Sequence, residues 1–190
     1  MDKNKLKIIH ILVAVLIILI NILIQLEYRY IDGFSYEIIN NNKIISSMYP
    51  VNESIWESLK LSFYPIVILG VIEYSIIGRK FNNFIEAKVV ASFLMILFTT
   101  CISYIYICIF GYNVLLMRIF SYIVSCIIAQ YLSYMIMSRR NESIITTKIL
   151  SVVIIVLISS SFTFLTFNTP YIHIFKDPIT GQYGCKEEIK

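Results

Sequence analysis

Charged residues are scarce in this sequence. Only 15% of the 190 residues are Asp, Glu, Lys or Arg, whereas 58% are hydrophobic, and the mean hydropathy is +0.77. Soluble domains carry about 25% charged residues, so the composition predicts an integral membrane protein. Linker-like runs rich in proline, glycine or serine are also absent. We therefore expect a single integral membrane domain over residues 1–190.

Histidine and cysteine are few, which limits the metal and redox sites that the chain could form. There are two histidines and four cysteines, and no two cysteines form a C-x-x-C pair. We expect the thiols of Cys101, Cys108, Cys126 and Cys185 to be buried as small apolar groups. The net charge is +4, but the basic residues form short clusters beside apolar runs. A nucleic-acid partner is therefore not predicted.

Long apolar runs are abundant. About 20 helical residues cross a hydrocarbon layer, and five runs reach that length, at about 8–26, 59–77, 89–110, 114–137 and 149–167. The sequence therefore predicts an all-α, polytopic membrane helix bundle with five transmembrane helices. We expect it to be a multi-pass protein of the cell membrane with the lipid bilayer as its surroundings. The first run lacks a small-residue cleavage site, so we interpret it as an uncleaved anchor.

The distribution of basic residues predicts the orientation of the bundle. Lys and Arg are retained on the cytoplasmic side of membranes. Nine of them fall in segments on the side of the N-terminus, against five on the other side. The predicted topology is N-terminus in and C-terminus out.

The stretch P-V-N-E-S-I-W-E-S-L-K at residues 50–60 places charge at the start of a transmembrane helix. Asn52 is a good N-cap, and Ser54 with Glu57 has the spacing of a capping box. A helical step of three or four residues puts four polar side chains on one face: Glu53, Glu57, Lys60 and Tyr64. Such a face is penalised in lipid, so we expect it to contact a cavity or partner helices.

Other residues are expected at the same end of the bundle. Arg118 lies near the outer end of the fourth span and is a natural partner for the carboxylates. Turn signals at Asp177-Pro178 and Thr180-Gly181 predict an ordered C-terminal hook that folds over this end. The predicted ligand- or partner-binding set is Glu53, Trp56, Glu57, Lys60, Arg118, His173 and Asp177.

A second polar feature is predicted within the membrane. Glu73 lies in the inner half of the second span, at a depth comparable to that of Gln130 in the fourth. We expect a hydrogen bond between these two side chains. Because an intramembrane carboxyl group is costly, Glu73 is interpreted either as a proton-carrying or ion-binding group or as a paired group that locks two helices together.

Several segments resemble a known family. P-V-N-E-S-I-W-E-S-L-K, A-Q-Y-L-S-Y and F-K-D-P-I-T-G-Q-Y-G are similar to signature segments of an uncharacterised family of small bacterial polytopic membrane proteins. The resemblance covers most of the chain from residue 48 onward. It implies a membrane location and one domain, and it supplies no activity.

Three hypotheses for function remain open. In the first, an outward-facing polar pocket binds a small ligand, an ion or a membrane partner. The second is a metal-dependent hydrolase acting on a lipid or envelope substrate, with Glu53, Glu57, His173 and Asp177 as candidate ligands. The third is a transporter or channel subunit with an inner site at Glu73, which would require a homo-oligomer because no internal repeat is visible. No cofactor is identified.

Overall fold

The computed structural model describes residues 3–30, 42–111, 114–139, 143–178 and 180–184. These residues form six α-helices: α1 (Lys3–Tyr30), α2 (Lys43–Met48), α3 (Ile55–Ile76), α4 (Phe84–Phe110), α5 (Leu115–Ser138) and α6 (Ile145–Phe167). Two 3₁₀ turns follow α3 and α6, at Gly78–Lys80 and His173–Phe175. The described residues contain no β-strand beyond one bridge between Lys176 and Tyr183. The predicted all-α fold is confirmed.

Five of these helices, α1 and α3 to α6, are long and apolar enough to cross a membrane. The predicted number of spans is therefore confirmed. The structure begins α3 and α4 several residues earlier than the predicted spans, because those bounds counted only the apolar runs and left out the charged first turns of the helices. In α3, Pro65 lies within the helix and has no N–H to donate to the carbonyl of Leu61.

The helix contacts define two ends of the bundle. One buried cluster joins the start of α1, the end of α3, the start of α4 and the end of α5 through Leu6, Ile77, Phe84 and Met137. We call this the N-terminal end. A second cluster joins the first half of α3 to α6 around Phe162 and lies toward the opposite end.

A face of small residues lets α5 pack closely against its neighbours. Ser121, Ser125, Ala129 and Ser133 recur every four residues and are all fully buried. α5 makes its most extensive contacts with α4 and α1. On its α1 side, the thiol of Cys126 lies 3.7 Å from the carbonyl of Ala14. Small side chains allow such close approach between helices in lipid, where apolar burial alone does not drive association.

Of the cysteines in the described part of the chain, one is buried and two are exposed. Cys126 is buried, as expected, but Cys101 and Cys108 are exposed on the outside of the bundle. The prediction of buried thiols is wrong for these two residues, because an apolar surface facing lipid accepts a thiol as readily as a core does. Cys185 lies outside the described residues.

Candidate functional site

The residues predicted to cap the start of α3 do cap it, but the N-cap is Ser54 and not Asn52. Ser54 is the N-cap, and its hydroxyl accepts a hydrogen bond of 3.2 Å from the backbone N–H of Glu57. The side chain of Asn52, not Glu57, accepts from the N–H of Ser54, at 2.9 Å. The capping box is therefore only half formed, and the Glu57 carboxylate is available for other contacts.

The Glu57 carboxylate is buried and binds groups on both of its oxygens. Its Oε2 lies 2.6 Å from the Lys60 Nζ and accepts a hydrogen bond of 3.1 Å from the backbone N–H of Val51. Its Oε1 accepts from the hydroxyl of Thr166 on α6, at 2.9 Å. Glu57 therefore ties the start of α3 to the end of α6.

Lys60 is fully buried, at 0% exposure, and its ammonium binds the segment that carries α2. It donates to the carbonyl of Ser46 at 2.7 Å and to that of Tyr49 at 3.3 Å. The hydroxyl of Tyr64, one turn further along α3, donates to the carbonyl of Ser47. The predicted polar face thus packs against protein, and it holds α2 in place.

Of the carboxylates predicted to pair with Arg118, Glu53 is the one that does, whereas Glu57 pairs with Lys60. The Arg118 Nη1 lies 3.3 Å from the Glu53 Oε2, and both residues are buried. The Arg118 Nε and both polar atoms of the Gln25 side chain have no hydrogen-bond partner among the described residues. They line a cavity of about 20 Å³ with Asn52 and Ser58. That volume admits about one water molecule.

The C-terminal hook is ordered, as predicted. The ring of Phe175 packs on that of Trp56, with centroids 4.9 Å apart. The Asp177 carboxylate is buried and accepts a hydrogen bond of 2.9 Å from the hydroxyl of Thr180. Asn52 donates to the carbonyl of Gly184 at 3.1 Å. The ring contact between Phe175 and Trp56 and the hydrogen bond from Asn52 therefore attach the hook to the start of α3.

His173 does not join this cluster. Its side chain is exposed and forms no hydrogen bond or ion pair within the described part of the chain. Within those residues, no group of three or more His, Cys, Asp or Glu side chains could hold a metal. The proposed metal set of Glu53, Glu57, His173 and Asp177 is therefore not assembled.

A second charged centre lies at the N-terminal end of the bundle. The Glu73 Oε2 on α3 lies 2.6 Å from the Lys88 Nζ on α4, and both residues are buried. The Nε2 of His10 on α1 lies 3.9 Å from the other Glu73 oxygen. We call these three residues the triad. The predicted third span begins at about residue 89 and so leaves Lys88 just outside it, and no role was predicted for His10. Because Ala87 favours a helix that continues into the apolar run, the sequence could have indicated that Lys88 lies within this helix.

The hydrogen bonds of His10 define its tautomer. Its Nδ1 lies 3.1 Å from the carbonyl of Leu6, which can only accept, so Nδ1 carries the hydrogen. In the neutral ring, Nε2 is then an acceptor, and the hydroxyl of Ser133 lies 3.4 Å from it. The ring of Tyr134 packs edge-on against the imidazole, with centroids 5.9 Å apart. His10 therefore presents an acceptor nitrogen, Nε2, next to the Glu73 carboxylate.

The predicted hydrogen bond between Glu73 and Gln130 is wrong. Both amide atoms of Gln130 are buried without a hydrogen-bond partner among the residues with described positions. Glu73 forms an ion pair with the Lys88 ammonium instead, and the attraction between opposite charges inside the bundle is stronger than an interaction with a neutral amide. Gln130 lies on α5 between Cys126 and Ser133, two other buried residues.

A helical bundle with five candidate spans, a buried triad at one end and a network of buried ion pairs at the other defines a polytopic membrane protein. The chain belongs to a family of unknown function, DUF6512, whose model matches residues 3–185. No curated protein and no solved structure matches the chain. The resemblance to an uncharacterised family is therefore confirmed, and the function must be argued from the two charged sites.

Proposed function

We propose that this membrane protein reversibly binds a proton at the triad of His10, Glu73 and Lys88, as a proton-coupled transporter or channel subunit would. The observation that carries the proposal is the 3.9 Å separation between the basic Nε2 of His10 and the Glu73 carboxylate inside the apolar bundle. Ionisable side chains within transmembrane segments are costly, and they commonly mark proton or ion pathways.

Protonation would change the hydrogen bonding of His10. The neutral ring accepts from Ser133 through Nε2, whereas a protonated Nε2 can only donate. The Glu73 carboxylate is the nearest anionic acceptor, and closing 3.9 Å to a hydrogen-bond distance needs a movement of about 1 Å. A proton on His10 therefore favours a closer approach of α1 to α3.

The response of the bundle to protonation of His10 depends on the other charged and titratable groups around this residue. Glu73 faces it from α3, Lys88 lies behind Glu73 on α4, and Tyr134 packs against it from α5. With Glu73 and Lys88 both ionised and His10 neutral, the triad has no net charge. A bound proton adds a second cation that competes with Lys88 for one carboxylate. Protonation would therefore strengthen the link from α1 to α3 and weaken the link from α3 to α4.

The triad lies near an aqueous surface. Glu73 is three residues before the end of α3, Lys88 is four residues after the start of α4 and His10 is seven residues after the start of α1, which places them roughly 4.5, 6 and 10.5 Å from the helix ends at 1.5 Å per residue. A proton would then exchange with the solution at the N-terminal end. With the N-terminus inside, as the basic residues predict, that solution is the cytoplasm.

The charged site at the opposite end supports a structural role better than a binding role. Glu53 and Arg118 pair with each other, and so do Glu57 and Lys60. We propose that these two ion pairs fix α2, the start of α3 and the end of α6. The hypotheses of an outward-facing ligand pocket and of a metal-dependent hydrolase gain no specific support from this arrangement. A homo-oligomer or another membrane partner stays a prediction.

Proton binding can be measured directly because the chain has two histidines. In His173→Ala protein, ¹⁵N-labelled histidine reports His10 alone, and its ring resonances are followed by NMR through a pH titration in lipid nanodiscs. We expect a reversible titration of the ring. Glu73→Gln should make protonation less favourable because a nearby anion is lost, and Lys88→Met should make it more favourable because a nearby cation is lost.

Glu86→Gln is the matched control. Glu86 lies at the same end of α4, but it accepts hydrogen bonds from Ser143 and Thr147 at the start of α6. This change should leave the His10 titration almost unaltered. A His10 ring that does not titrate, or that titrates identically in wild-type and Glu73→Gln protein, would overturn the proposal. Proton flux into liposomes that is equal for these two proteins would exclude a transport role for the triad while leaving proton binding intact.

A further inference from the structure

A groove of about 340 Å³ runs along the side of the bundle between α1, α2 and α3. Ile24 of α1, Ile45 and Met48 of α2, and Leu61 and Ile68 of α3 are among the residues that line it. This volume lies within the range of roughly 300–1,000 Å³ that is usual for small-molecule sites. The groove is therefore large enough to hold a ligand.

The lining of the groove is almost entirely apolar. Lys60 and Tyr64 belong to it, but their polar ends are already bonded elsewhere. The Lys60 ammonium binds Glu57 and the carbonyl of Ser46, and the Tyr64 hydroxyl binds the carbonyl of Ser47. These two residues therefore present mainly their carbon atoms, and an apolar occupant fits the groove best.

The groove opens toward the lipid. Ile68 is 49% exposed and Ile44 is 75% exposed, and both lie on its edge. On α3 the lining extends from Lys60 to Leu69, which is about 13 Å along the helix axis at 1.5 Å per residue. The groove therefore runs toward the middle of the bundle from the end that lies opposite the N-terminal end. An acyl chain extends from its headgroup into the bilayer in the same direction. Lys43, an exposed cation at the start of α2, lies beside the lining residue Ile44.

We propose that this groove binds one acyl chain of a bilayer phospholipid, with the phosphate group near Lys43. The five candidate spans place the mouth of the groove against hydrocarbon. An annular lipid touches one convex surface, whereas a chain in this groove is in contact with three helices. The bound phospholipid should therefore remain when detergent has replaced the annular lipids. This inference is independent of proton binding at the triad.

Tryptophan quenching can test the proposal because Trp56 is the only tryptophan in the sequence. In a Trp56→Phe background, Ile68→Trp reports the groove and Val153→Trp reports the lipid-facing side of α6. The two positions are similarly exposed, at 49% and 43%. They also lie at similar distances from the ends of α3 and α6 that meet at the opposite end of the bundle. Copurifying phospholipid is first removed by extended delipidation in detergent, and phosphatidylglycerol with brominated acyl chains is then titrated into the protein.

We expect the fluorescence of the Ile68→Trp reporter to fall and level off at one lipid per chain. The Val153→Trp reporter should be quenched only when lipid becomes a large fraction of the micelle. Adding Ile24→Phe, which narrows the groove, should weaken the quenching of the Ile68→Trp reporter several-fold. Lys43→Gln should weaken it for phosphatidylglycerol more than for phosphatidylcholine.

Three results would overturn the proposal. The first is an identical dependence on lipid at the two reporter positions, which would indicate annular contact only. The second is quenching that Ile24→Phe does not change. The third is an unquenched Ile68→Trp reporter in protein that is dimeric by analytical ultracentrifugation, which would indicate that a second copy of the chain covers the groove.

Discussion

Removing one partner of the Glu73–Lys88 ion pair should destabilise the bundle strongly, and removing both should restore much of the loss. The two charged groups are 2.6 Å apart with side-chain exposures of 2% and 6%. With an effective dielectric constant of about 20, Coulomb's law gives about 6 kcal/mol for unit charges at this distance. Desolvation offsets a large part of that attraction, and breaking a buried pair typically costs about 3–5 kcal/mol. Since the pair lies near the helix ends, we expect about 3 kcal/mol for either single change.

The assay is a double-mutant cycle with Glu73→Met and Lys88→Met, measured by reversible unfolding in mixed micelles. Methionine keeps much of the length of both side chains and removes the charge. The double variant leaves no unpaired charge in the pair, so it should lie within about 1 kcal/mol of the wild type. A double variant that loses as much free energy of unfolding as the sum of the two single changes would refute the argument that the residues act as a pair.

Three further predictions concern other parts of the bundle. Lys60→Met leaves Glu57 buried without its cation and should lower the free energy of unfolding by about 3 kcal/mol; a loss below about 1 kcal/mol in chemical denaturation would contradict the buried pairing. Gly184→Ala places a Cβ against the Thr169 hydroxyl at a φ of +68°, so the C-terminal hook should become more sensitive to limited proteolysis; cleavage at the wild-type rate would show that the hook tolerates the side chain. Gln130→Leu removes two buried amide atoms that have no hydrogen-bond partner in the described part of the chain and should raise the free energy of unfolding by about 1 kcal/mol; a loss of stability in thermal unfolding would mean that the amide has a further partner.

The features that could be predicted from the sequence depend on local patterns. Hydropathy located all five long helices. The turn signals around Asp177 predicted an ordered hook. Each of these patterns is a property of a single segment and does not depend on contacts with other segments.

The features that could not be predicted depend on contacts between helices. In the sequence, Lys88 resembles an ordinary lysine that flanks a span. The carboxylate of Glu73 lies beside it only because α3 and α4 pack together. His10 is one histidine in an apolar helix, and its role depends on Ser133, which is 123 residues away along the chain. The same limit explains the error over Gln130, since similar depth in two spans does not specify which side chains face each other.

Pro65 divides α3 into two halves with different mechanical freedom. The first half is anchored by the buried ion pair of Glu57 with Lys60, and the second half carries Glu73. Because the carbonyl of Leu61 has no N–H to bind at position 65, the bending stiffness of the helix is lowest between the two halves. If Glu73 changes partner as proposed, we expect the resulting bend of α3 to lie near Pro65, so that the second half moves relative to the first half and the hook.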